Sequence, residues 1–344
     1  MNILAVESSC DETAVAVVRD GRHLLADAIL SQADMHALYG GVVPEIASRR
    51  HCEFISATVK KALLDAGKTI DDVDAVAVTF APGLIGAVLV GLNFAKSAAY
   101  ALNVPLIPVH HIRGHIAANY LAFPELEPPF LALAISGGNT LIVDVADYTD
   151  MQVLGATRDD AAGECFDKAA RVLGLPYPGG KPMDQLAQQS AGGVYALPRA
   201  HVDGAPLDMS FSGLKTAALN LIHHAEQVGE ELDIPSLCAA FSAAVSDTLV
   251  PRAVMALEQT GYRKIAVAGG VAANSRIRAD ILAAAEKLGA EVYLPPLHLC
   301  GDNGAMIGAQ GYYEYMAGVR GDMTLNGYAT MELDDIFYLS LIHI

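Results

Sequence analysis

Two segments of the chain carry the same pattern, and that repeat limits the fold more than any other feature. Ile3-Leu-Ala-Val-Glu-Ser-Ser-Cys-Asp-Glu-Thr13 runs into Ala-Val-Ala-Val-Val18, and Leu131-Ala-Leu-Ala-Ile-Ser-Gly-Gly-Asn-Thr140 runs into Leu-Ile-Val143. Each reads as strand, small polar turn, strand. Aligning Thr13 with Thr140 brings Ser9 onto Ser136. The expectation is two duplicated halves, each opening with a β-hairpin whose turn can hold an anion, the alternative being two unrelated hairpins. With 344 residues, 53% of them hydrophobic, the chain has enough apolar mass to fill two lobes.

After the first hairpin the pattern predicts a helix over about 44–66, a strand over 75–80, a helix over about 86–102, a strand over 106–109 and then a helix carrying histidines. That alternation is α/β. The uncharged span 75–95 is long enough to cross a bilayer. Its break at Ala81-Pro82-Gly83 instead suggests a buried strand, a tight turn and a core helix. A Pro- and Glu-rich linker, Phe123-Pro-Glu-Leu-Glu-Pro-Pro129, then separates the halves. The second half resumes with its hairpin and has later strands at 264–268 and 291–294. Between them, roughly 155–237 reads as an inserted helical and loop region, because Gly, Pro and Asp are too frequent there for a repeated sheet. The lobes are expected at 1–125, carrying the histidine helix, and 126–330, carrying glycine loops and the insert. Residues 331–344 are set apart as a divergent tail. Its end, Leu339-Ser-Leu-Ile-His-Ile344, is what a common sequencing-transposon end would encode if read as protein, so it is excluded from the fold reasoning.

A formal charge of -17 repels nucleic acid, so any polyanionic partner needs a local basic patch or another subunit. Cys10, Cys52, Cys165, Cys238 and Cys300 are odd in number and show no CxxC spacing, which argues against a disulfide framework or a zinc ribbon. The N-terminal stretch lacks a basic region and Glu7 interrupts its apolar run, so no export signal is expected. A cytoplasmic protein without a membrane partner fits these features.

The run Val109-His-His-Ile-Arg-Gly-His115 puts His111 and His115 four residues apart, on one face of a helix, which is a metal-ligand spacing. Metalloprotease helices share it but add a glutamate beside the first histidine, where this chain has Ile112. Unrelated histidines on one helix are the other reading. Asp302, in Leu299-Cys-Gly-Asp-Asn-Gly-Ala-Met306, lies at an expected helix start. It is either an N-cap or a third ligand completing a two-histidine, one-carboxylate set suited to iron(II) or zinc. Ile135-Ser-Gly-Gly-Asn139 and Val267-Ala-Gly-Gly-Val-Ala-Ala-Asn274 each follow a strand with paired glycines, leaving backbone amides open to phosphate or carboxylate oxygens. A tight-turn role explains either loop singly; both in one duplicated fold favour nucleotide binding. Tyr177-Pro-Gly-Gly180 with Asp184 is either a solvent loop or a contact to a ribose or amino-acid group. Asp11, Glu12, Asp160, Glu164 and Asp167 supply further carboxylates.

Taken together, Val6-Glu-Ser-Ser-Cys-Asp-Glu-Thr13, Tyr39-Gly-Gly-Val-Val-Pro-Glu-Ile-Ala-Ser48, Ala81-Pro-Gly-Leu84, His110-His-Ile-Arg-Gly-His115, Ser136-Gly-Gly138, Asp159-Asp-Ala-Ala-Gly-Glu164 with Phe166-Asp-Lys168, Phe211-Ser-Gly-Leu-Lys-Thr216, Ala268-Gly-Gly-Val271 and Asp302-Asn-Gly-Ala-Met306 resemble the TsaD family, in order and over residues 1 to about 330. The resemblance implies a duplicated actin-like ATPase fold (ASKHA, RNase H-like) and the activity of a tRNA threonylcarbamoyladenosine transferase. It implies that His111, His115 and Asp302 hold Fe2+, with Zn2+ the alternative. It further implies that Ala134, Ile135, Ser136, Gly137, Gly138, Asp167, Gly180, Asp184 and Asn274 line the pocket for threonylcarbamoyl-AMP. The implied partners are tRNA, a TsaB-like paralogue forming a heterodimer, a TsaE-like ATPase and a TsaC-like enzyme that makes the adenylate. Arg49, Arg50 and Lys168 would contribute part of the tRNA surface, and Asp11 or Glu12 would relay the proton lost by the attacking amine. The chain departs from the family at Asn139, where many members have histidine, and at its C-terminal end. Three rival readings stand beside this one. They are an ATP-using sugar-kinase-like or Hsp70-like protein, a metallopeptidase, and a non-catalytic paralogue acting as a dimer partner.

Overall fold

The computed structural model describes residues 1–190 and 192–338; the expectation about residues 339–344 lies outside them. In chain order the strands are β1 (Asn2–Glu7), β2 (Glu12–Arg19), β3 (His23–Ser31), β4 (Ala75–Ala81), β5 (Leu106–His110), β6 (Phe130–Ile135), β7 (Thr140–Val145), β8 (Met151–Ala156), β9 (Lys264–Ala268) and β10 (Glu291–Tyr293). The helices are α1 (Ala33–Ala37), α2 (Pro44–Asp65), α3 (Ile85–Leu102), α4 (His111–Ala122), α5 (Ala162–Val172), α6 (Gly180–Ala187), α7 (Ser212–Val228), α8 (Ile234–Thr260), α9 (Ser275–Leu288) and α10 (Gly304–Met316).

The strands form two five-stranded sheets, ordered β3-β2-β1-β4-β5 and β10-β9-β6-β7-β8. Renumbered within each half, both read 3-2-1-4-5, so the repeated hairpin heads a repeated sheet. In each, the first strand pairs in parallel with the fourth: Ile3 opposes Ala75 in one, and Leu131 opposes Ile265 in the other. The connection between the third and fourth strands differs. In the first half it is α1 and α2, and in the second it is α5 to α8 with an irregular stretch, which is where an insert was expected. Gly155, placed in that insert by composition, belongs to β8.

By contacts the described residues divide into two compact units: 1–128 with 145–152 and 295–338, and 129–144 with 153–294. α10 therefore belongs with the first sheet, whereas the sequence reading placed residues up to 330 in the second lobe. The segment set aside from 331 is also part of the first unit at its start, since Leu333 is buried.

The first unit explains why its strands read as unbroken apolar runs. Alternate residues of β1, β2 and β4 feed two separate cores, one on each face of the sheet. Leu4, Val6, Val15, Val17, Val76 and Val78 pack with Ile55 and Val59 of α2 and Leu92 of α3. Ile3, Ala5, Ala16, Val18, Ala75 and Ala77 pack on the opposite face with Ala118 of α4 and Ala305, Met306 and Ile307 of α10. Among the described residues two helices, α3 and α8, are long and apolar enough to cross a membrane by length and composition alone. In the structure α3 packs on β4 and α2, and α8 on α6 and α9.

Candidate metal centre and glycine loops

α4 begins where β5 ends, and His110 makes the junction. Its ring Nδ1 accepts from the Ile112 amide at 3.2 Å and its Nε2 donates to the Met331 carbonyl at 3.2 Å. Burial dominates over that carbonyl and holds its pKa down to about 3, so this histidine is a neutral cap. One residue on, His111 and His115 stack edge to face one turn apart, ring centroids 4.6 Å apart at 81°. α10 crosses them closely because residue 114 is glycine: a Cβ there would lie 2.7 Å from Ile307 Cδ1.

The loop entering α10 delivers Asp302. Its Oδ1 lies 3.1 Å from His115 Nε2 and 3.5 Å from His111 Nε2, and one donor atom from each of the three residues falls within 4.8 Å of the others. The capping alternative for Asp302 is removed by its neighbour. Asn303 is the N-cap, accepting from the Met306 amide at 2.8 Å, so Asp302 is free to face the histidines.

Glu7, at the end of β1, is fully buried and orients His111. A carboxylate can only accept, so the Nδ1–H of His111 donates to Glu7 Oε2 at 2.9 Å, leaving Nε2 pointed toward Asp302. Glu7 also accepts from the Thr79 hydroxyl and the Ser9 amide. Burial opposes charge on all three groups, and their mutual attraction outweighs it. His111 is raised to about 9 by Asp302 and Glu7, Asp302 is lowered to about 2 by His111 and His115, and Glu7 is lowered by His111.

The donor set fits a divalent cation on two grounds. Both ring nitrogens of His115 are buried without a hydrogen-bond partner, the Asp302 contact lacking hydrogen-bond geometry. The surroundings also carry more buried carboxylate than one imidazolium offsets. Asp11 is 5% exposed, and burial, followed by the fields of Asp11 and Asp302, raises Glu12, which accepts a 3.0 Å bond from Ser31. Sequence reasoning missed Glu7 as a member of this group. The available signal was a carboxylate closing a four-residue apolar strand.

In the second unit, Ala134 and Ile135 end β6 and are buried, as is Ser136. The following turn closes on itself: the Ser136 amide donates to the Asn139 carbonyl at 2.8 Å and the Asn139 amide to Ser136 Oγ at 3.1 Å. Neither bond uses the side chain at 139, so the departure from histidine leaves the loop intact. Gly137 and Gly138 are exposed, with no atom near the position of a Cβ, while the Gly137 carbonyl accepts from the Glu164 amide at 3.1 Å at the start of α5. Gly269 of the second loop has φ +88°, and a Cβ on it would lie 2.4 Å from the Ile135 carbonyl oxygen, so the two loops meet through a contact only glycine allows.

The remaining residues expected to line a pocket have structural partners. Asp167 accepts from the Gly179 amide at 2.7 Å, next to Gly180. Asp184 accepts from the Ser275 amide at 3.0 Å and hydroxyl at 2.8 Å, while Asn274 caps α9 by accepting from the amides of Arg276 and Ile277. Asp184 and Asn274 thus meet at one helix start. Asp159 clamps the start of α7 through the amides of Phe211 and Ser212. Lys168 pairs with Glu164 at 2.6 Å, Arg49 with Glu45 at 2.8 Å and Arg50 with Glu53 at 2.7 Å, so each cation expected on a tRNA surface has an acidic partner on its own helix.

The family profile described as "TsaD: tRNA N6-adenosine threonylcarbamoyltransferase" matches residues 23–309. A tRNA N6-adenosine threonylcarbamoyltransferase of Moorella thermoacetica is 51% identical over 333 residues, 97% of each chain. One from Clostridium botulinum strain 657 is 49% identical over 335 residues, 97% of this chain and 98% of the relative. Among solved structures, component A of the (R)-2-hydroxyglutaryl-CoA dehydratase of Acidaminococcus fermentans superposes with a TM-score of 0.54 at 14% identity, covering 92% of this chain and 99% of that one. That likeness concerns the fold alone, which is the duplicated actin-like α/β architecture. The matched span and the near-complete coverage at about half identity place the chain in the TsaD family of tRNA N6-adenosine threonylcarbamoyltransferases.

Proposed function

We propose that this chain transfers the threonylcarbamoyl group from threonylcarbamoyl-AMP to the N6 amine of the adenosine 3′ to the anticodon of tRNA. The observation that carries the reading is the convergence of His111, His115 and Asp302, with His115 Nε2 left unsatisfied, in a chain of this family. Those three residues would hold iron(II), with zinc(II) as the alternative. When bound, the metal supplies Lewis-acid stabilisation of the negative charge that develops on AMP as it leaves.

The chain's own residues have separate tasks. The exocyclic amine of adenine is a poor nucleophile, its lone pair being delocalised into the ring, so positioning the acceptor and activating the donor matter most. Ala134, Ile135, Ser136, Gly137 and Gly138 bind the adenylate, the two open glycine amides orienting its phosphate or acyl oxygens. Asp167, Gly180, Asp184 and Asn274 complete the adenylate contacts. Glu7 holds the Nδ1 proton of His111 and so keeps Nε2 available. Asp11 or Glu12 receives the amine proton, the two carboxyl groups standing side by side with burial raising Glu12.

The charge of -17 and the local pairing of Arg49, Arg50 and Lys168 support a need for basic neighbours when tRNA is bound. A TsaB-like paralogue in a heterodimer and a TsaE-like ATPase fill that role, a TsaC-like enzyme supplies the adenylate, and the assembly works in the cytoplasm. The test combines the chain with these partners, labelled threonylcarbamoyl-AMP and tRNA. His111→Ala is expected to cut transfer of label by roughly two orders of magnitude or more and to lower bound metal. Undiminished transfer by that variant, or none by the unmodified chain in the full mixture, refutes the reading.

A further inference from the structure

Between the two histidines of α4 stands Arg113, 1% exposed and the largest fully buried side chain among the described residues. Its guanidinium donates to the Thr149 carbonyl at 2.9 Å, the Leu333 carbonyl at 3.2 Å and Glu314 Oε1 at 3.3 Å. Glu314 is 2% exposed and lies on α10, the helix whose entry loop carries Asp302. Gln310, one turn earlier, donates from the same Nε2 to Glu314 Oε1 at 2.8 Å and to the Tyr148 carbonyl at 3.0 Å. One buried network therefore ties the helix bearing His111 and His115 to the helix that follows Asp302.

Stability alone is a poor reason to keep it. Arg113 Nε, Glu314 Oε2 and Gln310 Oε1 are all buried without a partner. Burial pushes Glu314 above the ordinary carboxylate range even with Arg113 beside it. A partly satisfied buried ion pair of this kind is commonly replaced by apolar groups at no loss of stability, or with a gain. What apolar groups cannot supply is direction: the planar guanidinium bonds three separate segments at fixed angles.

We propose that Arg113, Glu314 and Gln310 are positioning residues that set the separation between the His111–His115 pair and Asp302, and so the affinity and geometry of the metal site. This rests on the reading of those three residues as ligands. Arg113 lies two residues from each histidine and bonds on the far side of α4 from the ligand face. A small roll of α4 against α10 would move the two Nε2 atoms relative to Asp302 Oδ1, and the network is what resists that roll.

The test uses the full chain stripped of metal and titrated with Co(II), whose visible d–d bands report coordination geometry. Arg113→Met with Glu314→Met removes both buried charges while keeping volume. It is expected to melt at or above the unmodified temperature yet bind Co(II) about 10- to 100-fold more weakly, with shifted bands, the size seen when groups behind metal ligands are altered. Glu314→Gln, which keeps shape and one hydrogen bond, is expected to weaken binding less, and Arg113→Lys to restore it only in part. His115→Ala, the ligand control, should lose the bands altogether. Co(II) affinity and bands equal to those of the unmodified chain in the double variant, or in Glu314→Gln should the double variant not fold, overturn the network proposal alone. Failure of the unmodified chain to bind Co(II) overturns the metal reading beneath it.

Discussion

Asp27→Asn should stabilise the protein at neutral pH, and the gain should vanish in acid. Asp27 lies on β3 under the start of α10, where its Oδ1 accepts from the Gly304 amide at 3.2 Å. Burial raises its pKa from 3.8 to about 6, the amides of Gly304 and Ala305 offsetting only part of that cost. Between those two values the folded chain keeps a proton that the unfolded chain has released, so stability falls as pH rises through the window and stays low above it. At 1.36 kcal/mol per pH unit the gap amounts to about 3 kcal/mol at pH 7.5. An asparagine keeps the accepting oxygen and carries no charge, but its amide donors need solvent or a partner, which reduces the expected gain to about 1–3 kcal/mol. Thermal melts from pH 3.5 to 8 should therefore place the asparagine variant level with or slightly below the unmodified chain near pH 3.5, move it upward relative to that chain from pH 4 to 6, and hold it roughly 1–4 °C higher above that. A difference that does not depend on pH, or an asparagine variant less stable at pH 7.5, refutes the argument.

Two further outcomes follow from the same geometry. Glu7→Gln places amide hydrogens against the donors Ser9 N–H, Thr79 O–H or His111 Nδ1–H, and should lower metal affinity about 10- to 100-fold in a competition titration; affinity unchanged within a factor of two would remove Glu7 from the site. Gly269→Ala forces a methyl to 2.4 Å from the Ile135 carbonyl at φ +88° and should cost about 2–4 kcal/mol, read as an earlier denaturant midpoint, and weaken adenylate binding. A variant with both properties intact would mean that the two loops do not support each other.

What the sequence exposed and what it hid divide along physical lines. β1, β2, β4 and β9 were readable because both faces of each are buried, which leaves an unbroken apolar run. β3 and β8 were not read as strands. Each is an edge strand of its sheet, and a polar residue, Asp27 in β3 and Gln152 in β8, interrupts its apolar run. The ligand pair was readable because helical spacing is local. By the same rule the pairing of Arg49 with Glu45 and of Lys168 with Glu164 was also written in the sequence, at i, i+4, and it changes how much free positive charge those residues offer. The partnership of Glu7 with His111 spans 104 residues and has no local trace. Asp302 and Asn303 stand side by side as equally good caps by residue type, and only the backbone at the start of α10 decides between them.

The repeat that dictated the fold gives its two equivalent turns opposite electrostatic character. In each sheet the turn between the first and second strands occupies the same topological place. In the first unit that turn is framed by Glu7, Asp11 and Glu12, with Glu7 buried against His111, so the position is suited to a cation. In the second unit the corresponding turn runs Ser136-Gly137-Gly138-Asn139. It carries no charge, is closed by its own backbone, and presents exposed glycine amides, so the same position is suited to an anion. Duplication followed by divergence of a few side chains in one turn supplies both without a change of topology.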